Sequence, residues 1–210
     1  IKIYDIDIKA KKERNSTILK LLHKIENVAA DVFDQIGIRI ITYDKIDALL
    51  IIRYLKKFGV LDFCNVKPSR SINRLIDVKT FKKILNHHKD RLKTGEIDKE
   101  EFERVIRLEA EKEANISADD NPMNPYTSKE YKSIQFTCRQ MIRMQYPLDA
   151  SENERTENFC FFFPYEMQIV DIKTHMENRF GKASYEKYKE KQLISARNRV
   201  LGRLIRNPER

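Results

Sequence analysis

The chain has 210 residues, of which 35% are charged, 41% hydrophobic and only 5 glycine, and its formal net charge is +9. That points to one globular, helix-rich domain with a sizeable core and an anionic partner such as nucleotide, RNA or DNA. It holds no run of about 18 apolar residues, so no membrane span or membrane partner is expected, and its three scattered cysteines (Cys64, Cys138, Cys160) read as reduced, half-buried strand residues, not a disulfide framework or zinc site.

The opening "IKIYDIDIKAKKERN" lacks the apolar stretch of a signal peptide, and the expected location is cytoplasmic. Residues 16–33, "STILKLLHKIENVAADVF", place Leu19, Leu22, His23 and Ile25 at helical spacing behind a Ser/Thr start. In "DQIGIRIIT" (34–42) Ile36, Ile38 and Ile40 alternate with Gln35, Gly37 and Arg39, which predicts a strand. An amphipathic helix over 45–59 ends at Gly59, with lysines in its last turn. A short strand over 60–67 then precedes a basic loop, "PSRSINR". The order helix, strand, helix, strand points to an α/β or α+β sheet.

Residues 77–116 carry two strongly charged helical patterns broken at Thr94-Gly95, which predicts a helical hairpin inserted between strands. The turn-rich "NISADDNPMNPY" (115–126) leads back to strands over 131–144 and 158–171, joined by a polar loop. Phe159 to Phe163 are expected to pack on both faces of a central strand. From 172 to about 206 the chain reads as helical, with a bend near Gly181. Its basic stretch "SARNRVLGRLIR" is a solvated face or an RNA contact. His87 and His88 lie on a charged helix without carboxylates at ligand spacing and carry no metal reading.

Two acidic residues stand out. Asp34 opens the first strand, and Glu166 sits within an apolar one, where a carboxylate is costly unless paired or bound to a cation. Together they would offer Mg²⁺ hard oxygen ligands. Alternatively, Asp34 caps a turn and Glu166 faces solvent. Spacing leaves both open.

The blocks "RNST" with Lys24 downstream, "DQIGIR", "YKSIQF", "YEMQIVD" and "GKASYEKYKE" resemble, in order, those of the RelA/SpoT-type synthetase domain. They cover about residues 14–42 and 126–190. The resemblance implies an α+β fold: a mixed sheet of four to five strands flanked by helices, nucleotidyltransferase-like, filling the chain apart from the insertion. It also implies transfer of pyrophosphate from ATP to a ribose 3′-hydroxyl, with Mg²⁺ as cofactor. The acceptor would be a guanine nucleotide, giving an alarmone, or the 3′ end of tRNA.

Carried over residue by residue, Arg14 and Arg39 would sandwich the adenine and Lys24 would meet the ATP phosphates. Asp34 and Glu166 would hold the metal, with Glu166 also taking the proton of the attacking hydroxyl. Tyr131 would stack the acceptor base. Gln168 and His175 also match family positions, on the acceptor side or in the metal shell.

The departures concentrate on the acceptor side. Ser16 replaces a basic residue, Glu130 a glycine, Gln135 and Tyr185 histidines, and Val170 an arginine. Lys129, Lys67, Arg70 or Arg74 would restore charge there. A catalytically lapsed module that binds nucleotide or RNA is the alternative, and homo-oligomerisation is left open.

Overall fold

The computed structural model describes residues 1–23, 35–112, 131–147, 156–181 and 185–206. Five strands form one open mixed sheet: β1 (Ile3–Lys9), β2 (Ile36–Thr42), β3 (Val66–Asn73), β4 (Ile134–Pro147) and β5 (Thr156–Asp171), in the order β1-β2-β5-β4-β3. β2 and β5 are parallel and every other pair is antiparallel. Six helices accompany it among the described residues: α1 (Arg14–His23), α2 (Lys45–Lys57), α3 (Val78–Lys93), α4 (Lys99–Glu111), α5 (Ile172–Phe180) and α6 (Tyr185–Arg206). The expected α+β class, with a mixed sheet flanked by helices, is present.

The core follows from the isoleucine alternation on β2. Ile36, Ile38 and Ile40 register with Tyr165, Met167 and Ile169 of β5, and these with Cys138, Phe136 and Ile134 of β4. Ala48 and Ile51 of α2, with Leu61, Leu75 and Ile76, join them in one apolar cluster. Each large side chain fully buried there contributes about 1.5–3 kcal/mol. α2 forms because Asp44 accepts from the Asp47 amide (2.8 Å) at its start and Gly59, at φ 69°, lets the chain turn left-handed after its end.

The helical insertion is present as α3 and α4. Asp77 and Asp98 cap their starts, and Gly95 at φ 76° makes the break. α4 lies against α2 and α3, with its Ile106 and Ala110 buried, and its Arg107 pairs with Asp44, Glu103 and the fully buried Asp47 (3.4 Å). Among the described residues neither carboxylate oxygen of Asp47 accepts a hydrogen bond, and Arg107, as its nearest cation, makes its burial tolerable. Partial burial disfavours the guanidinium's charge, but Glu103, Asp44 and Asp47 outweigh it and raise the Arg107 pKa above its ordinary value.

Four expectations need correction. The strand placed over 60–67 is largely a 3₁₀ turn, Phe63–Asn65, which Asp62 caps by accepting from the Cys64 amide (3.2 Å). The basic "loop" after it is strand β3, where Pro68 is tolerated because β3 lies at the sheet edge. Cys64 is therefore an exposed turn residue; Cys160 is exposed as well, Cys138 is buried, and all three are free. Phe159 and Phe162 are 63% and 52% exposed rather than packed, because β2 joins β5 only from Tyr165 onward.

The opening residues form an edge strand, β1, that sequence reading did not assign. The later helices break at Gly181 as expected. α6 packs on α1, where Lys189 Nζ donates to the buried Ser16 hydroxyl (3.2 Å) and Arg199 donates to the carbonyls of Leu21 and Leu22. No described helix is long and apolar enough to cross a membrane.

Candidate active site on the polar face of the sheet

Strand alternation that points Ile38 and Met167 into the core points their neighbours to the opposite face. Two registered rows result. Asp7, Arg39, Gln168 and Gln135 run across β1, β2, β5 and β4. Beside them, Lys9, Gly37, Glu166, Thr137 and Lys67 run across all five strands. β3, read as a loop from sequence, thus brings Lys67 to this face, about 10 Å from Glu166 at ~4.8 Å per strand.

Gln168 is the hub. Its Oε1 accepts from Arg39 Nε (3.2 Å) and from the Tyr131 hydroxyl (3.2 Å). Its Nε2 donates to Gln135 Oε1 (3.3 Å) and Glu166 Oε1 (3.2 Å). The amide thereby uses two acceptor sites and both donors, and the reverse orientation would set its NH₂ against the Arg39 donor. Glu166, half-buried, is held at one oxygen by a neutral donor two residues along its own strand. Arg39 also pairs with Asp7 at 3.8 Å, a mostly exposed and therefore weak contact.

Tyr131 precedes β4 and is half-buried. Its segment is fastened to α5 by Asn178, whose side chain accepts from the Lys132 amide (3.1 Å) and donates to the Lys132 carbonyl (2.7 Å). Burial pushes the Tyr131 phenol pKa up; the Arg39 charge pulls the other way and the Glu166 charge adds to the rise. The hydroxyl is therefore a neutral donor at neutral pH. His175, on α5, is pushed below its ordinary value by burial first and then by Arg39 and Arg179, against Asp5 and Asp7. It stands in the field of Arg39 as a neutral imidazole.

Of the residues singled out from sequence, Arg39, Tyr131, Glu166 and Gln168 meet in one hydrogen-bonded cluster, with His175 in its electrostatic reach. Arg14 is exposed at the first residue of α1, and no hydrogen bond or ion pair among the described residues joins it to them. Lys24, Asp34 and Lys129 lie outside the described residues. Among those described, no group of three or more His, Cys, Asp or Glu side chains is arranged to hold a metal ion.

Gln135 was read only as a departure from a histidine, and Asn178 was not singled out. Nothing local marks either one. Gln135 matters through its register with Gln168, and Asn178 through a contact across 46 positions. Comparison with protein-family models and with curated proteins found no match for this chain.

Proposed function

We propose that the chain is a RelA/SpoT-type synthetase with the nucleotidyltransferase-like fold of that family. Its reaction would be Mg²⁺-dependent transfer of pyrophosphate from ATP to the ribose 3′-hydroxyl of a guanine nucleotide or of a tRNA 3′ end. The observation that supports this most is the meeting of Arg39, Tyr131, Glu166 and Gln168, from three separate blocks of the resemblance, in one hydrogen-bonded cluster.

The roles follow from the chemistry of each group. Arg39 offers a flat guanidinium to the adenine, and Tyr131 a ring to the acceptor base. Glu166 takes the proton of the 3′-hydroxyl, whose oxygen attacks the β-phosphorus of ATP; the α–β bridge breaks and AMP leaves. Gln168 fixes the orientation of that carboxylate through its 3.2 Å hydrogen bond. The Glu166 oxygens are hard donors on the polar face and suit Mg²⁺; with Asp34 they would hold the ion, which would offset charge on the transferring group. These nucleotide substrates fit a cytoplasmic setting.

A lapsed nucleotide- or RNA-binding module is the second reading. It is favoured by Gln135 and Ser16, which replace a histidine and a basic residue and are each engaged in hydrogen bonds with other side chains. Incubation with γ-labelled ATP, Mg²⁺ and GDP, GTP or bulk tRNA separates the two. Label in one acceptor supports the transferase; none in any, with ATP still bound, supports the lapsed module.

A further inference from the structure

Beyond Tyr165 and Cys138 the other strands stop, and β4 and β5 continue as a two-stranded arm, residues 139–147 and 156–164. Alternation gives this arm two faces. One continues the core side, with Gln140, Ile142 and Met144 opposite Phe163, Phe161 and Phe159. The other continues the face that holds Glu166, with Arg139, Met141 and Arg143 opposite Pro164, Phe162 and Cys160.

On this second face Met141 and Phe162 are 59% and 52% exposed, and both arginines are exposed. Neither arginine has a carboxylate partner among the described residues. Glu157 registers with Tyr146 and so belongs to the other face. The Arg139 guanidinium lies 5.9 Å from the Phe162 ring centroid. Arg143 follows four residues on, about 13 Å along the strand at ~3.3 Å per residue. An exposed ring flanked by cations in a line matches a particular chemistry. An acidic polypeptide would satisfy the arginines but give Phe162 no flat partner. A single nucleic-acid strand satisfies both, with phosphates on the cations and a base on the ring.

We propose that this face of the arm binds single-stranded nucleic acid, with phosphates at Arg139 and Arg143 and a base stacked on Phe162, and directs the strand toward Lys67 and Glu166. Binding there needs neither ATP nor transfer, so it stands or falls apart from the transferase reading.

Fluorescence anisotropy of the full chain with an end-labelled single-stranded RNA, the same DNA sequence, a duplex and polyglutamate tests it. Both single strands are expected to bind in preference to the duplex and to polyglutamate, and a preference for RNA over DNA adds contact to the 2′-hydroxyl. Phe162→Ala is expected to weaken binding roughly 5- to 150-fold. Arg139→Gln with Arg143→Gln should lower the slope of log affinity against log salt by about 1.4, at ~0.7 for each phosphate left without its cation. All three positions are exposed, so the variants keep the wild-type circular dichroism spectrum. Single-strand binding untouched by either variant, tighter binding of the duplex, or binding of polyglutamate alone would overturn the proposal.

Discussion

Replacing Tyr131 separates two contributions that coincide in the wild type. Its hydroxyl donates to Gln168 Oε1 over 3.2 Å, a bond worth about 0.5–1.5 kcal/mol net. Tyr131→Phe loses that bond alone, while Gln168 keeps Arg39, Gln135 and Glu166 as partners. Tyr131→Ala loses the ring as well. If the ring carries the acceptor base, stacking is worth about 1–3 kcal/mol. Acceptor affinity then falls roughly 5- to 150-fold at ~1.4 kcal/mol per decade. ATP affinity, assigned to Arg14, Lys24 and Arg39, stays near wild type in both variants. Calorimetric titration with acceptor and with ATP, beside urea unfolding, reads all of this. The expected pattern is a small stability loss in both variants and an acceptor defect in Tyr131→Ala alone. Unchanged acceptor affinity in Tyr131→Ala, together with a large loss of stability, would make the ring a packing residue and refute the platform.

Two further outcomes follow from the charges. His175 is held below its ordinary value of 6.5 by burial and by Arg39 and Arg179. The unfolded chain therefore binds a proton more readily, and the stability His175 contributes is complete above pH 6.5 and lost as pH falls through the lower folded value. The urea midpoint of the wild type should fall relative to that of His175→Gln as pH drops below 6.5; parallel curves would show that His175 carries no such linkage. Arg107→Leu removes the cation nearest the buried Asp47 and should cost about 3–5 kcal/mol in urea unfolding. A loss below about 1 kcal/mol would put this contact among ordinary exposed ion pairs, and adding Asp47→Leu should restore part of the stability.

What was legible in the sequence depended on burial. The alternation of Ile36, Ile38 and Ile40 marked β2 because one face of that strand is packed. β1 escaped although Ile6 and Ile8 alternate with Asp5 and Asp7, since it is an edge strand whose residues are all exposed. β3 escaped because Pro68, Ser69 and Ser71 read as turn residues, whereas an edge strand with a register shift between Lys67 and Ile72 accommodates them. The aromatic run on β5 imitated a core strand because sequence does not reveal where a neighbouring strand stops. In the candidate site, Glu166 stands out as a carboxylate within an apolar strand, whereas Arg39, Gln168 and Tyr131 take their roles from the family resemblance. The hub at Gln168 and the Asn178 anchor depend on register and on contacts between distant segments, which no local pattern encodes.

Phosphorus NMR of the protein with ATP, Mg²⁺ and the accepting nucleotide or tRNA tests the proposed chemistry most directly. AMP and a 3′-diphosphate on the acceptor should appear in equal amounts. Glu166→Gln should still bind both substrates yet slow the transfer by about 10²–10⁴-fold, the usual contribution of a positioned general base. ADP with a monophosphorylated acceptor, no AMP at all, or a Glu166→Gln rate equal to wild type would contradict pyrophosphoryl transfer by Glu166.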